Sequence, residues 1–424
     1  MFSVRADVDL CKKAVGPSVL LATSKCWPTT PRFAHALLSV GADIHFASPR
    51  SNRYVAGIDA NRRHAFSHRF PGASLCAAIE TSDAALVIPG DDTMLGELVS
   101  LYQRRFDRYG AGDKVAQLIE RSLGVPQNYT RMTQRRSLIG IAEGLGIRVP
   151  ETRVVVSRED VIEQSRQLGF PVVLKLDGST GGTGTMIARD ERDAVAKFNR
   201  LTSWVWHTKR TISAVRLREQ SVFGPYLKRG RAVVNLQRFV EGRPANTAFA
   251  CWKGEVVGAI HVEVLQEVFA NGPAAVVRTL SDIEMDRNAA KIASHFRLSG
   301  IHGLDYMLDA KGVAHLIEMN PRLTPVAHLP LGEGHDLAVG LLSAITGERL
   351  AARPSDIRSD VIALFPQEWQ RDPESPLLHL AHHDVPWGNA SFLELFLGHD
   401  GNAFAGRRGQ AGASGAEPGK PRLV

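Results

Sequence analysis

Lys175 closes the apolar run Phe170-Pro-Val-Val-Leu-Lys175, and two residues further on the chain enters a stretch made of Gly178, Ser179, Thr180, Gly181, Gly182, Thr183 and Gly184. Glycines let a backbone approach a phosphate chain closely, and successive N–H groups form an anion-binding concavity. Ser179, Thr180 and Thr183 add hydroxyl donors, and a lysine beside such a loop neutralises phosphate charge as a point cation. The lysine precedes the loop and the loop feeds a strand, so this is not a P-loop. The plain alternative is a flexible hairpin turn, for which four glycines in seven residues is generous. About 130 residues on, Gly303-Leu-Asp305 and Leu316-Ile-Glu318-Met-Asn320-Pro-Arg322 form a second cluster. In an antiparallel hairpin Asp305 and Glu318 can face each other on one side of the sheet, with Asn320 on the same side. Two carboxylates and an amide oxygen are hard ligands suited to Mg²⁺ carrying phosphates, and Arg322 can contact a phosphoryl oxygen. The alternative is a surface hairpin with scattered polar groups. The apolar flanks Leu316-Ile317 and Met319 argue against it, because burying like charges together is costly without a cation.

Other residues weigh less. His379, His382, His383 and Asp384 spell HLAHHD, which could hold a metal but reads better as a polar loop or helix face in a Pro-rich region. His302 is equally readable as a substrate contact and as a half-buried strand histidine. Between His207 and Arg231 seven cations face one acid, with Trp204, Trp206, Phe223 and Tyr226 interleaved, a texture that suits nucleic acid or a loop overhanging a triphosphate. There is no GxGxxG after the first strand and no GxSxG elbow.

The elements that must position these residues alternate between strand and helix. Strands are expected at Val19–Ala22, Ile44–Phe46 and Ala85–Ile88, and a helix at Pro31–Val40. Another helix starts where Asp92 or Thr93 can cap it and runs toward Arg105. Such alternation predicts a parallel, doubly wound sheet over 1–110. Helices follow at 113–123 and 134–145, then a strand at 152–156 and a helix at 158–168. The glycine loop is bounded by strands at 170–175 and 185–188, and a helix covers 190–201. Long strands are expected at 233–240, 246–252 and 255–264, a helix near 282–297, the hairpin 302–308/313–319 and a helix at 336–345. A small appendage covers 351–400.

A glycine loop, a strand lysine and a paired-carboxylate hairpin, in that order, resemble the ATP-grasp superfamily. Gln237-Arg-Phe-Val-Glu-Gly242 looks like that family's hinge, where backbone groups hold the adenine edge. By the resemblance Gln237, Arg238, Phe239 and Val240 contribute to nucleotide binding, with Arg238 and Val240 acting through the main chain and Gln237 standing where Glu is usual. Arg135 or Arg136 stands where many members carry a first phosphate-contacting lysine. The resemblance implies that Lys175 binds the α/β phosphates while 178–184 closes over β and γ. It also implies that Asp305, Glu318 and Asn320 hold two Mg²⁺ ions, with Mn²⁺ as a substitute, and that Arg322 faces the reacting phosphoryl group. It implies an α/β chain in which a doubly wound N-terminal domain precedes a two-subdomain ATP-grasp fold over 111–350, its lid subdomain at about 150–240. Members typically join a small-molecule carboxylate to an amine through an acyl-phosphate, so an ATP-dependent carboxylate–amine ligase is expected. A phosphotransferase and an idle nucleotide-binding module are its rivals. Nothing in 1–110 chooses among carbamoyl-phosphate synthase-like, D-alanine ligase-like and biotin carboxylase-like members.

Composition reads as that of a soluble globular protein, with the cytoplasm as the expected compartment. The chain has 424 residues, 22% charged and 44% hydrophobic, which at roughly 100–200 residues per domain allows two to four domains. No apolar run approaches the roughly 18 residues of a membrane span, and Met1–Lys13 mixes both charge signs, unlike a signal peptide. Four distant cysteines without CxxC suggest neither disulfides nor zinc. The net charge of +7 divides unevenly. The Gly/Ala/Pro-rich tail 401–424, expected to be disordered, carries +3, the 207–231 stretch carries +6, and the remainder is −2. Nucleic acid is therefore not the first explanation for the basicity, and homodimerisation is left open.

Overall fold

The structure, a computed structural model, describes residues 16–55, 62–133, 135–177, 184–203, 233–387 and 393. Three sheets organise them. The first is parallel: β1 (Ser18–Ala22), β2 (Asp43–Ser48), β3 (Arg63–Ala65) and β4 (Leu86–Pro89) lie in the order β3-β2-β1-β4. Its strands alternate between two cores, as a sheet buried on both faces must. Val19, Leu21, Leu86 and Ile88 pack with Phe33 and Leu37 of α1 (Thr29–Ser39). Leu20, Ala22 and Val87 pack with α2 (Pro71–Ser82), α3 (Asp92–Tyr109) and α4 (Lys114–Leu123). Two short helices follow, α5 (Tyr129–Thr133) and α6 (Arg135–Gly144).

The second sheet is small and antiparallel. β5 (Thr152–Val155), β6 (Val172–Leu176), β7 (Thr185–Ala188) and β8 (Val234–Arg238) run in the order β5-β8-β6-β7, backed by α7 (Arg158–Leu168) and α8 (Glu191–Thr202). Ser157 and Asp160 form a capping box on α7, and Asp190 caps α8. Val172, Leu174, Leu176, Val234 and Leu236 bury their shared face against Val161, Leu168, Phe198 and Leu201, a core separate from the other two.

The third sheet has seven strands. β9 (Arg243–Trp252), β10 (Glu255–Glu267) and β11 (Ala274–Leu280) are followed by α9 (Ile283–Phe296), β12 (Gly300–Leu308), β13 (Ala314–Asn320), α10 (Leu337–Thr346), β14 (Val361–Ala363) and β15 (His382–His383). The order is β13-β12-β9-β10-β11-β14-β15. Both cores of the parallel sheet continue into it: Phe249, Leu304 and Tyr306 join the first, and Ala248, Ile260, Val262 and Ile301 the second. The two sheets are thus welded through shared apolar volume, while the small antiparallel sheet stands on its own core. The segment after 351 contributes β14 and β15 to the edge of the large sheet.

Expected elements recur with shifted ends, and β3, α2, α5, β11, β14 and β15 are additional. α2, PGASLCAAIETS, is rich in small residues and gives little amphipathic signal. The cap of α3 is Asp91 rather than Asp92 or Thr93. Asp91 is fully buried, and its carboxylate accepts from Met94 N at 3.0 Å, Ser24 N at 2.6 Å, Ser24 Oγ at 2.8 Å and Thr23 Oγ1 at 2.9 Å. One side chain therefore ties the carboxyl end of β1 to the start of α3. Asp91→Ala removes the cap and strands several buried donors, so urea unfolding should show a loss of about 3 kcal/mol at unchanged slope.

Candidate functional site

The seven-stranded sheet sets three polar residues in one row. Asp305 on β12 pairs with Glu318 on β13 and with Asn246 on β9, so all three project from the same face of adjacent strands. Asn246 Nδ2 donates to Asp305 Oδ1 at 2.6 Å, and Asn320 Nδ2 donates to Asp305 Oδ2 at 2.8 Å. A β-bulge follows the Asp305–Glu318 pair, where Ile317 is left over opposite Tyr306. Burial and the neighbouring Glu318 push Asp305 up to about 6, against the pull of Asn320, Arg322 and Asn246 in the other direction. Two carboxylates held side by side at such cost, with an amide oxygen alongside, form a donor set that fits a hard divalent cation. Gly303, which pairs with Asn320, leaves room for the following loop: a Cβ there would lie 2.4 Å from Thr324 Cγ2.

Arg322 sits beside this row with its guanidinium fully engaged on one side. Nε donates to Asp92 Oδ1 at 3.0 Å, one terminal nitrogen to Asn320 Oδ1 at 3.0 Å and the other to the Leu323 carbonyl at 3.1 Å. Burial alone would lower its pKa, but the carboxylates of Asp92, Asp305 and Glu318 outweigh that and raise it. Leu323 N–H in turn donates to the Pro89 carbonyl at 3.1 Å, joining the loop to the end of β4. The adjacent acids Asp91 and Asp92 therefore point apart, one into the parallel sheet and one toward Arg322. They lie where β1 and β4 part, at the topological switch point of the parallel sheet, where open α/β sheets bind ligands.

Lys175 lies on β6 of the small sheet, only 5% exposed. It projects opposite to Leu174 and Leu176, on the face that also carries Asn235 and Gln237 of β8. Asn235 Nδ2 donates to Asp177 Oδ1 at 2.7 Å, and Leu176 N–H donates to the Gly184 carbonyl at 2.9 Å, so both ends of the glycine loop are tied. Gly178, Ser179, Thr180, Gly181, Gly182 and Thr183 lie outside the described residues, as do the basic stretch 204–232 and the tail 401–424. Arg135 begins α6 and Arg136 follows it; their side chains lie outside the described part. In the hinge, Gln237 is buried and donates to Thr152 Oγ1 at 2.9 Å. Arg238 ion-pairs with Glu151 at 2.9 Å and gives its backbone N–H to the Glu151 carbonyl, so any main-chain contact from Arg238 must come from its own carbonyl. Phe239 and Val240 are half-buried in the link to β9. At Gly242 a Cβ would lie 1.9 Å from the Leu308 carbonyl, so only glycine lets the hinge pass the end of β12.

The carboxylate row, Asn320 and Arg322 are thus gathered on one sheet edge, while Lys175 and the hinge belong to the smaller sheet. Asn246 and Asp92 were not among the expected residues. Asn246 shows only as a polar residue opening an apolar strand, and Asp92 as half of an Asp doublet; the partner of each is set by strand register and by chain-distant packing. His302 is buried against Phe249, its Nε2 within 2.8 Å of the Ser299 carbonyl, and projects to the face opposite Asp305. Among the described residues no group of three or more His, Cys, Asp or Glu side chains gathers around His379, His382 and His383.

Comparison with known proteins follows the same lines. Residues 135–351, about half of the chain, match the family described as carbamoyl-phosphate synthase L chain, ATP binding domain. The carbamoyl phosphate synthase large chain of Thermus thermophilus is 27% identical over 297 residues, which cover 68% of this chain and 26% of that one. The chain therefore spans about a quarter of the length of that relative. A biotin carboxylase of a Nostoc species is 24% identical over 208 residues, covering 46% of this chain and 41% of that one. Among solved structures, biotin carboxylase from Campylobacter jejuni superposes with a TM-score of 0.57 at 16% identity, covering 80% and 72% of the two chains. N5-carboxyaminoimidazole ribonucleotide synthetase from Thermus thermophilus gives 0.56 at 15%, covering 78% and 79%. No helix among the described residues is long and apolar enough to cross a membrane. A parallel N-terminal sheet, a small antiparallel sheet carrying a lysine beside a glycine loop and a large sheet carrying paired carboxylates make this chain an ATP-grasp protein of the carbamoyl-phosphate synthase L chain ATP-binding family.

Proposed function

We propose that the protein is an ATP-dependent ligase that activates a small carboxylate as an acyl-phosphate and transfers the acyl group to an amine. The observation that carries this reading is the Asp305–Glu318 cross-strand pair, bonded to Asn320 through Asp305 and flanked by the half-buried Arg322. Relatives named carbamoyl phosphate synthase, biotin carboxylase and N5-carboxyaminoimidazole ribonucleotide synthetase support the same chemistry. In the proposed reaction a carboxylate oxygen attacks the γ-phosphorus of ATP, ADP leaves, and the amine then attacks the acyl carbon and releases phosphate.

Each side chain has a physical task in this scheme. Lys175 would neutralise charge on the α and β phosphates from the small sheet, and residues 178–184 would, by the family resemblance, close over the β and γ phosphates. Gln237, Arg238, Phe239 and Val240 border the adenine. Asp305, Glu318 and Asn320 hold Mg²⁺, two ions in the full site, which when bound spreads the charge that develops on the phosphates. Arg322 donates to the transferring phosphoryl oxygens, and its bond to Asp92 fixes the guanidinium plane before substrate arrives. Positioning and electrostatics supply the acceleration, so no acid–base triad is required. Arg135 or Arg136, at the head of α6, would supply the first phosphate-contacting cation. The switch point of the parallel sheet beside Asp92 is the natural seat for the carboxylate or its acceptor.

ADP release from Mg·ATP, measured across a panel of amino acids, bicarbonate and small carboxylates with amine acceptors, tests the reading. Glu318→Ala should lower kcat by at least about 100-fold, and release at the wild-type rate would overturn the site assignment. A stable phosphorylated product without condensation, seen by mass spectrometry, would mark a phosphotransferase instead.

The metal role has its own test in the absence of turnover. Because Asp305 is raised to about 6 in the folded chain, the fold favours its neutral form. In chelator, that contribution to stability is complete below about pH 4 and is lost as pH rises through about 6, amounting to about 3 kcal/mol. Mg²⁺ binds the ionised form, so its affinity should climb over the same interval and restore stability at pH 8. Urea unfolding at pH 4.5 and 8, with chelator or with Mg²⁺, checks both. The same pH dependence in Asp305→Asn would refute the assignment.

A further inference from the structure

The motif HLAHHD remains outside the site just described, yet its acid is among the most heavily bonded groups in the chain. The Asp384 side chain is 4% exposed and faces Arg32, itself 8% exposed, at 2.7 Å. The same Arg32 nitrogen donates to the Asp384 carbonyl at 2.6 Å and lies 2.8 Å from His328 Nε2, while His328 Nε2 lies 2.6 Å from Asp384 Oδ2. Phe365 N–H donates to the other carboxylate oxygen. Arg353 completes the cluster: it donates to the His328 carbonyl at 2.9 Å and ion-pairs at 2.7 Å with Asp336, the cap of α10. Three chain segments that are far apart in sequence meet here. Arg32 comes from α1 beneath the parallel sheet, His328 from the loop after the carboxylate hairpin, and Asp384 from the segment that adds β14 and β15 to the large sheet.

An apolar seam would join three segments with less desolvation, so a buried charged cluster is weak evidence for stability. What charges and directional bonds add is one permitted geometry. Burial pushes Asp384 upward, but Arg32 and His328 outweigh it and hold the carboxyl below its ordinary range. Burial, with Arg32 close by, pushes His328 down to about 4, so its ring is neutral at pH 7 and Nε2 serves Arg32 or Asp384 but not both. His328 lies six residues beyond Arg322 in the same loop. That loop is anchored at one end by Leu323 N–H on the Pro89 carbonyl, and at the other by this cluster, with Ala327 and Leu329 N–H groups closing turns between them.

We propose that Asp384 is a positioning residue: through Arg32 and His328 it fixes the loop 321–331 against the parallel sheet and holds Arg322 where Asp92 and Asn320 meet it. The C-terminal segment is then a strut of the site. The catalytic consequence rests on the reading of Arg322 given above, whereas the fixing of the loop rests on geometry alone.

The full-length chain carrying Asp384→Asn tests this, with Arg32→Lys as a second variant that keeps the charge and exposed His379→Ala as control. Hydrogen–deuterium exchange should be at least tenfold faster for the amides of 321–331 and unchanged for strands 18–22 and 300–308. With any substrate pair that the ADP-release panel identifies, kcat should fall at least tenfold while the KM for ATP stays within twofold; His379→Ala should match the wild type in both measurements. Wild-type exchange of 321–331 in a folded variant would overturn the proposal. So would faster exchange spread equally over the strands, which would make Asp384 a support of the whole fold. If Asp384→Asn does not fold, Arg32→Lys decides by the same measurements. Glu318-independent ADP release would sink the ligase reading and leave the exchange result standing.

Discussion

Two carboxylates set side by side on neighbouring strands repel each other, and burial makes that repulsion expensive. The pairing of Asp305 with Glu318 is the constraint on which the rest of this molecule turns. The register that creates it also brings Asn246 and Asn320 to bond Asp305, and Arg322 to lie close enough for its charge to be felt. A cation relieves the repulsion, and a phosphate chain would follow the cation. A one-residue slip of β13 would send Glu318 to the opposite face and abolish the site.

Holding that register calls for stiff surroundings, and the fold supplies them through shared volume. Two apolar cores run through both the parallel and the seven-stranded sheets, so the carboxylate row and the switch point at β1 and β4 belong to one packed body. The small sheet with Lys175 has its own core and is joined to that body through the hinge, where Gly242 slips past the Leu308 carbonyl. Lys175 of the proposed phosphate site and the carboxylates of the proposed metal site thus sit on separately packed pieces. This arrangement suits a site that encloses a nucleotide between them.

The Asp91–Asp92 doublet shows how finely charge is distributed at the seam. Asp91 is spent internally on Thr23, Ser24 and Met94, while Asp92 holds Arg322. Arg32, His328 and Asp384 form a second buried cluster on the far side of the same loop. The loop after the carboxylate hairpin is therefore gripped by charge at two points and by a backbone bond at Leu323 between them.

Much of this was legible from residue order. Apolar periodicity and caps gave the helices, and alternation gave the parallel sheet, because local preference and burial agree in those segments. The hairpin that brings Asp305 near Glu318 was legible in the spacing, but their direct pairing depends on the β-bulge at Ile317, without which Asp305 would face Ile317 instead. The cap of α3 was misjudged by one residue because Asp91 and Asp92 are chemically equivalent in sequence, and only the packing of β1 against β4 gives one of them Thr23 and Ser24 as partners. Asn246, Asp92 and the Arg32–Asp384 cluster were illegible for the same reason: their partners lie 59, 230 and 352 residues away. The sequence by itself determined the types and short-range spacing of the glycines, lysine and carboxylates on which the proposed chemistry rests. Tertiary structure decided which distant side chains hold those groups in place, because contacts between remote segments depend on how sheets share a core and leave no periodic trace along the chain.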